Sequence, residues 1–181
     1  MTTPTHYLYF DGGCRGNGRA NPNAKAGYGY VIYDASQQTI ADGWAYLGAK
    51  TNNYAEYSGF INGMQHALTI GITHLVVRGD SNMVIKQMTG QFGANNPDMK
   101  ILNGIAKELA TNFVSINYEH VYREDNKEAD RLSNVAMDNP KPQHECEDLL
   151  KKTHTDTTIG DNDVIIAVKK KRIGASKTLL K

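Results

Sequence analysis

The apolar positions at the start of the chain alternate with polar ones, which is the two-residue period of a β-strand. Residues 6–11 alternate loosely and end in Asp-Gly, so they predict a short first strand. The aromatic and β-branched stretch 26–34 predicts a second strand, and 38–48 predicts a third. Because turn-forming residues separate the three, we expect an antiparallel meander.

After this meander the hydrophobic period changes to that of a helix. Residues 53–70 place their apolar side chains on one helical stripe, a second stripe begins at Asp98, and 126–137 form a third. The continuous apolar run 73–80 predicts a strand buried on both faces, and 113–121 alternate as a further strand.

A short helix at 81–88, with Ser81 placed to cap it, completes the element order βββαβααβα. This order predicts an α/β domain over residues 1–138. Residues 139–181 then form a C-terminal tail with a candidate extra strand at 164–168 and a basic end.

Composition and charge exclude few classes of protein. Of the 181 residues, 40% are apolar and 22% are charged, which is typical of a globular domain with a real core. The net charge of +1 is unevenly divided, because residues 1–138 carry −2 and residues 139–181 carry +3. A nearly neutral body remains compatible with a nucleic-acid enzyme, since an acidic metal cluster masks basic contacts in the total.

The two cysteines, Cys14 and Cys146, form neither a disulfide framework nor a zinc pattern. Two reduced thiols in a cytoplasmic protein are the favoured interpretation, and a single Cys14–Cys146 bridge is the alternative. The N-terminus lacks the basic and apolar regions of a signal peptide, and no apolar run approaches the roughly 20 residues of a membrane span.

Four acidic residues stand at positions where a metal site is expected. Asp11 and Asp80 each follow an apolar strand, and ligands of open α/β sheets collect at the carboxyl ends of strands. Glu56 and Asp130 each lie in the first turn of a predicted helix, beside its apolar face. Four carboxylates without Cys or His at ligand spacing favour Mg²⁺ or Mn²⁺ over zinc. Taken singly, each acid is more typical of a turn or of a helix start than of a metal site.

Four stretches of the chain carry a family resemblance. They are "YFDGGCRGNGRANPNAKAGYGYVIY", "TNNYAEYSGFINGMQHAL", "LVVRGDSNMVI" and "HVYREDNKEADRLSN". In this order they resemble the type 1 ribonucleases H, enzymes that cut the RNA strand of RNA–DNA hybrids. The resemblance covers roughly residues 6–138 and implies a five-stranded mixed sheet, three strands antiparallel and two parallel, with helices on both faces.

The resemblance also implies roles for particular residues. Asp11, Glu56, Asp80 and Asp130 match the carboxylates that bind two Mg²⁺ ions, for which Mn²⁺ substitutes, in a reaction that leaves 5′-phosphate and 3′-hydroxyl ends. A loop residue next to the active site corresponds to Arg123, or to His120 in an ungapped register. The residues that match contacts to the RNA strand are Gly12, Gly13, Asn17 and Asn53. The residue that matches a contact to a phosphate of the DNA strand is Thr51.

The chain departs from some members of the family because "TGQFGANNPD" replaces a basic helical insertion that grips the hybrid. We therefore expect the basic segment Lys169–Lys181 to supply part of the contact with the hybrid that this insertion makes. The alternative is that the apolar residues of the tail pair with a sheet edge as a strand and that the lysine run is solvated. A monomeric, cytoplasmic hybrid-cleaving enzyme is the main prediction. A catalytically silent hybrid-binding module and a related metal-dependent nuclease with another substrate are the alternatives.

Overall fold

The computed structural model describes residues 5–16 and 21–140, which form a single α/β unit. Its strands are β1 His6–Arg15, β2 Lys25–Tyr33, β3 Thr39–Gly48, β4 His74–Gly79 and β5 Ser115–His120. Its helices are α1 Asn52–Thr69, α2 Asn82–Met88, α3 Pro97–Ala110 and α4 Lys127–Asp138, and a 3₁₀ turn at Arg123–Asp125 precedes α4. The predicted element order is confirmed.

The five strands form one mixed sheet in the order β3-β2-β1-β4-β5. β2 pairs antiparallel with both β1 and β3, whereas β4 pairs parallel with β1 and with β5. The predicted sheet, three antiparallel strands followed by two parallel ones, is therefore confirmed. The parallel register sets Phe10 opposite Gly79, so the residues after them, Asp11 and Asp80, lie side by side.

One face of the sheet is covered by α1, which in turn packs against α3. The rings of Phe10 and Phe60 lie 5.3 Å apart at this contact, and both side chains are fully buried. Tyr28 and Tyr30 are also buried, and Tyr30 bonds to His66 of α1 through its hydroxyl at 2.9 Å. These strand tyrosines therefore belong to the core.

The opposite face is covered by α4, which lies directly over β1 and β2. A Cβ added at Gly29 would come within 2.5 Å of Leu132 Cβ, and one at Gly27 within 2.7 Å of Ala136 Cβ. The glycines of β2 thus let α4 approach the sheet closely. Because α4 carries Asp130, this contact sets the distance between that residue and the strands.

Three local expectations are wrong. β1 does not end at Asp11 but continues through the two glycines to Arg15, because Gly12 and Gly13 pair with β2. The Ser81 side chain makes no capping hydrogen bond to α2. Glu56 lies beyond the first turn of α1, which contains no acidic residue, so the helix dipole does not explain its position.

Within the described ranges, no helix is long and apolar enough to cross a membrane. The predicted tail beyond Pro140 lies outside those ranges, and so do its candidate strand at 164–168 and its basic end.

Candidate active site

Two strand residues and one helix residue form the centre of the candidate site. Asp11 lies within β1, and Asp80 follows the last residue of the neighbouring parallel strand β4. Glu56 projects from α1, which lies against β1 so closely that a Cβ at Gly12 would overlap the backbone of Ala55 and Glu56. One carboxylate oxygen from each of the three acids lies within 4.8 Å of the other two.

Burial and mutual repulsion perturb two of these acids. Burial, reinforced by the charges of Asp80 and Asp130, raises the pKa of Asp11 to about 6, although a hydrogen bond from Ser133 opposes the shift. Burial and the nearby Asp11 and Asp80 raise the pKa of Glu56 well above its usual range. Carboxylates held together against this repulsion are typical of sites that bind cations.

The same three residues fit a divalent cation. The Oε2 atom of Glu56 is buried and has no hydrogen-bond partner among the residues that the structure describes. Buried polar atoms are normally paired, so such an oxygen is free to act as a ligand. A set of carboxylate oxygens without sulfur or imidazole is the donor set that Mg²⁺ and Mn²⁺ prefer.

Asp130, the fourth acid, lines the same pocket but has protein partners on both oxygens. Its Oδ1 accepts a hydrogen bond from Arg123 Nη2 at 2.5 Å, and its Oδ2 accepts one from Asn134 Nδ2 at 3.4 Å. Among the described residues, the group of three converging oxygens does not include Asp130. The structure thus brings the four acids to one pocket and pairs one of them with arginine.

Arg123 occupies the position beside Asp130, and His120 does not. The Arg123 side chain is 74% exposed and lies in the turn before α4, with its guanidinium on Asp130. His120 is the exposed last residue of β5, and its ring lies edge-on to Tyr122 at 5.8 Å. His120 is not among the residues that line the pocket, whereas Arg123 is.

Several polar residues at this site were not identified from the sequence. Ser133 donates to Asp11 Oδ2 at 2.5 Å, and Asn126 donates to Asp80 Oδ1 at 3.0 Å. Arg15 contacts Asp138 through Nη1 and donates to Asn134 Oδ1 at 2.9 Å through Nη2. The available signal was spacing, because Ser133 lies three residues after Asp130 and Asn126 lies four before it, the distances that share a helix face.

These residues surround an open pocket of about 280 Å³. Its lining consists of Asp11, Gly12, Gly13, Cys14, Arg15, Asn52, Glu56, Asp80, Arg123, Asp130, Ser133, Asn134 and Met137. The lining is strongly acidic but also contains two arginines. Arg15 belongs to β1, and Arg123 belongs to the turn before α4. Such an arrangement suits an anionic group held together with cations.

Comparisons with known proteins identify the family. The family model described as "Reverse transcriptase-like" matches residues 10–136. The N-terminal RNase H domain of Rv2228c from Mycobacterium tuberculosis is 40% identical with a TM-score of 0.70, over 75% of this chain and 95% of that one. RNase H1 from Halobacterium salinarum is 36% identical with a TM-score of 0.69, over 74% and 98%. The chain belongs to the type 1 ribonuclease H family.

A third member of the type 1 ribonuclease H family, LC11-RNase H1, has been solved in complex with an RNA/DNA hybrid. It is 32% identical with a TM-score of 0.67, over 74% of this chain and 96% of that one. The full-length curated relatives are longer. The chain spans 34% of the mycobacterial protein, which is described as bifunctional, and 64% of the Halobacterium ribonuclease HI.

Only some of the residues that the ribonuclease H resemblance assigns to substrate contacts line the pocket. Gly12 and Gly13 line the pocket, whereas Asn53 is exposed on α1 and its neighbour Asn52 is the lining residue. The Thr51 hydroxyl caps α1 by accepting from Tyr54 N at 3.2 Å. Asn17 lies outside the described residues.

The thiol of Cys14 also lies at the pocket, where its Sγ donates to the Lys50 carbonyl at 3.1 Å. Cys146 lies outside the described residues, so neither the favoured interpretation of two reduced thiols nor the alternative of a Cys14–Cys146 bridge is tested.

Proposed function

We propose that this chain is a metal-dependent endoribonuclease that hydrolyses the RNA strand of RNA–DNA hybrids. The observation that carries the proposal is the convergence of Asp11, Glu56 and Asp80, from three separate elements, to oxygen distances within 4.8 Å. Family membership supports the reaction, since relatives are described as ribonucleases H and one was solved with an RNA/DNA hybrid.

Asp11, Glu56 and Asp80 would hold Mg²⁺, and Asp130 would contribute to a two-ion site, with Mn²⁺ as a substitute. The chemistry that two such ions supply is activation of a water and stabilisation of the leaving 3′ oxygen, which gives 5′-phosphate and 3′-hydroxyl ends. The protein supplies fixed ligands, since Asp11 and Glu56 are buried and cannot swing into solvent.

Arg123 acts in this proposal as an electrostatic group. A guanidinium stays protonated at neutral pH, so it cannot exchange protons with the substrate. Its exposed position at the pocket mouth suits contact with a phosphate near the scissile bond, and its ion pair with Asp130 orients that carboxylate when no substrate is bound.

Substrate contacts are proposed for two sets of residues. Gly12 and Gly13 line the pocket where the RNA strand would approach, and Asn17 and Asn53 would contact the same strand through its 2′-hydroxyls. The Thr51 hydroxyl accepts from the helix, which leaves its own proton free to bind a DNA phosphate.

The protein is further proposed to be a monomer and to be cytoplasmic, and its low cysteine content supports only the second of these. Its catalytic domain comprises residues 1–138. The tail 139–181 is proposed to add positive charge for the hybrid.

The test offers the full chain four labelled substrates: an RNA–DNA hybrid, duplex DNA, duplex RNA and single-stranded RNA, each with Mg²⁺, Mn²⁺ or EDTA. We expect cleavage of the hybrid alone, on its RNA strand, and none in EDTA. Asp80→Asn should abolish cleavage, while Asp42→Asn, an exposed acid outside the pocket, should not. Hybrid binding without cleavage would indicate a silent module, and cleavage of another substrate a different nuclease.

A further inference from the structure

Asn126, the residue before α4, shares with Ser133 the deepest burial of the polar side chains next to the candidate site. It is 1% exposed. Its Nδ2 atom donates two hydrogen bonds, one to the carbonyl of Phe10 at 2.8 Å and one to Asp80 Oδ1 at 3.0 Å. The first acceptor belongs to β1, next to Asp11, and the second is the acid that follows β4.

The orientation of this amide is fixed by its acceptors. Both partners are oxygens without a proton to give, so only the NH₂ end of Asn126 can face them. Its Oδ1 is buried and has no partner within the described part of the chain. Leaving a buried acceptor unpaired costs on the order of 1–3 kcal/mol, so stability alone does not favour this side chain.

The backbone of Asn126 also makes hydrogen bonds to residues of the candidate site. Its N–H donates to the carbonyl of Arg123 at 3.1 Å, and its carbonyl accepts from the N–H of Asp130 at 3.0 Å. One residue therefore connects β1, Asp80, the turn of Arg123 and the first turn of α4. A change at Asn126 would displace the carboxylates relative to one another rather than one alone.

We propose that Asn126 is a positioning residue that holds the Asp80 carboxylate in register with Asp11 for divalent metal binding. The inference rests on the proposed function, since it deepens the account of the same metal site. Groups that orient metal ligands typically change metal affinity by about 10- to 100-fold when they are removed. Without the amide, Asp80 loses the donor that aligns it and the carbonyl of Phe10 loses its partner.

The first test compares Asn126→Ala with Asn103→Ala. Asn103 is a matched control, because it is also a buried asparagine, and its Nδ2 donates to the Tyr57 hydroxyl at 3.0 Å away from the pocket. Mn²⁺ is titrated calorimetrically into the metal-free full-length proteins. We expect Asn126→Ala to weaken Mn²⁺ binding by about 10- to 100-fold, and Asn103→Ala to lower the melting temperature with unchanged affinity.

A second readout separates positioning from general damage. If Asn126 acts through the metal, hybrid cleavage by the variant should recover as the Mn²⁺ concentration rises, while KM for the hybrid stays unchanged. Should Asn126→Ala fail to fold, Asn126→Ser keeps a hydroxyl donor and should show a smaller loss of Mn²⁺ affinity. Unchanged Mn²⁺ affinity in a folded Asn126 variant, or an equal loss in Asn103→Ala, would overturn the inference.

The result is distinguishable from failure of the proposed function. If the unaltered protein cleaves the hybrid and Asn126 variants bind Mn²⁺ normally, only the positioning role is wrong. If the unaltered protein cleaves no hybrid with any metal, the proposed function is wrong whatever the titrations give.

Discussion

Asp11 and Glu56 are acids that the fold holds at a cost, because burial and neighbouring charges raise the pKa of both. In the metal-free protein, Asp11 takes up a proton as the pH falls through about 6, whereas in the unfolded chain it does so near the ordinary value of about 3.9. The folded state therefore binds more protons between these pH values. The contribution of Asp11 to the free energy of unfolding is therefore most favourable in acid and is lost as the pH rises through about 6.

Asp11→Asn removes this titration. In EDTA, we expect the variant to gain stability over the unaltered protein as the pH rises from about 4 to 7, by up to about 3 kcal/mol, since a shift of one pKa unit corresponds to 1.36 kcal/mol. Urea unfolding at several pH values measures the difference. A difference that does not grow with pH would contradict the account of Asp11.

Arg123 and His120 offer a contrast at the same scale. The Arg123–Asp130 ion pair is largely exposed on the arginine side, and such pairs contribute little to stability. Arg123→Ala should therefore leave the melting temperature nearly unchanged while hybrid cleavage falls on the order of 10²-fold, as for loss of other electrostatic groups. His120→Ala should keep full activity. Loss of activity in His120→Ala with normal activity in Arg123→Ala would reverse the assignment.

The positions of the four acids could be predicted because each stands beside an apolar element and within a recognisable motif. Asn126 and Ser133 could not, since a polar residue at a helix start is most often a cap and one within a helix is most often a solvent contact. Their hydrogen bonds to Asp80 and Asp11 depend on how α4 packs across the sheet. Spacing along the chain places both residues near Asp130 but does not say which strand residues they reach.

At the scale of elements, the site depends on two close helix–sheet contacts. α1 lies directly over Gly12 of β1, and α4 lies over Gly27 and Gly29 of β2. The Asp-Gly step was interpreted as the end of a strand because that pair is typical of turns. In the structure the glycines stay within β1 and make room for helices, a requirement visible only once the layers are assembled.

Gly12→Ala tests the contact between β1 and α1. A methyl group there would overlap the backbone of Ala55 and Glu56, so we expect a loss of about 3 kcal/mol or more in the free energy of unfolding. The control is Gly104→Ala, within α3, where an added Cβ meets nothing within 4 Å. That change should stabilise the protein by about 0.5–1 kcal/mol. Similar stability of both variants would show that α1 does not constrain Gly12.

For the whole molecule, net charge distinguishes the two parts of the chain. Residues 1–138 carry a net −2, and residues 139–181 carry +3. A polyanionic hybrid would be repelled by the acidic pocket unless cations and basic groups offset it. The element order followed from the hydrophobic patterns along the chain and the mixed sheet from the family resemblance, whereas any role of the tail depends on an interaction with the substrate.

Deletion of residues 139–181 tests that role. If the tail adds binding charge, the truncated protein should show a higher KM for the hybrid and a weaker dependence of binding on salt, since fewer counterions are released. Cleavage rates at saturating hybrid should change little. Identical KM and salt dependence with and without the tail would contradict the proposal.

The central claim is that Asp11, Glu56 and Asp80 bind metal to cut RNA. Single-turnover cleavage of an end-labelled RNA strand in a hybrid tests it most directly, with Glu56→Gln and the exposed helix acid Glu108→Gln as matched variants. We predict that the unaltered protein and Glu108→Gln cut the RNA strand only with added metal. Glu56→Gln should be slower on the order of 10³-fold or more. Cleavage by Glu56→Gln at the normal rate, or cleavage by the unaltered protein in EDTA, would contradict the account.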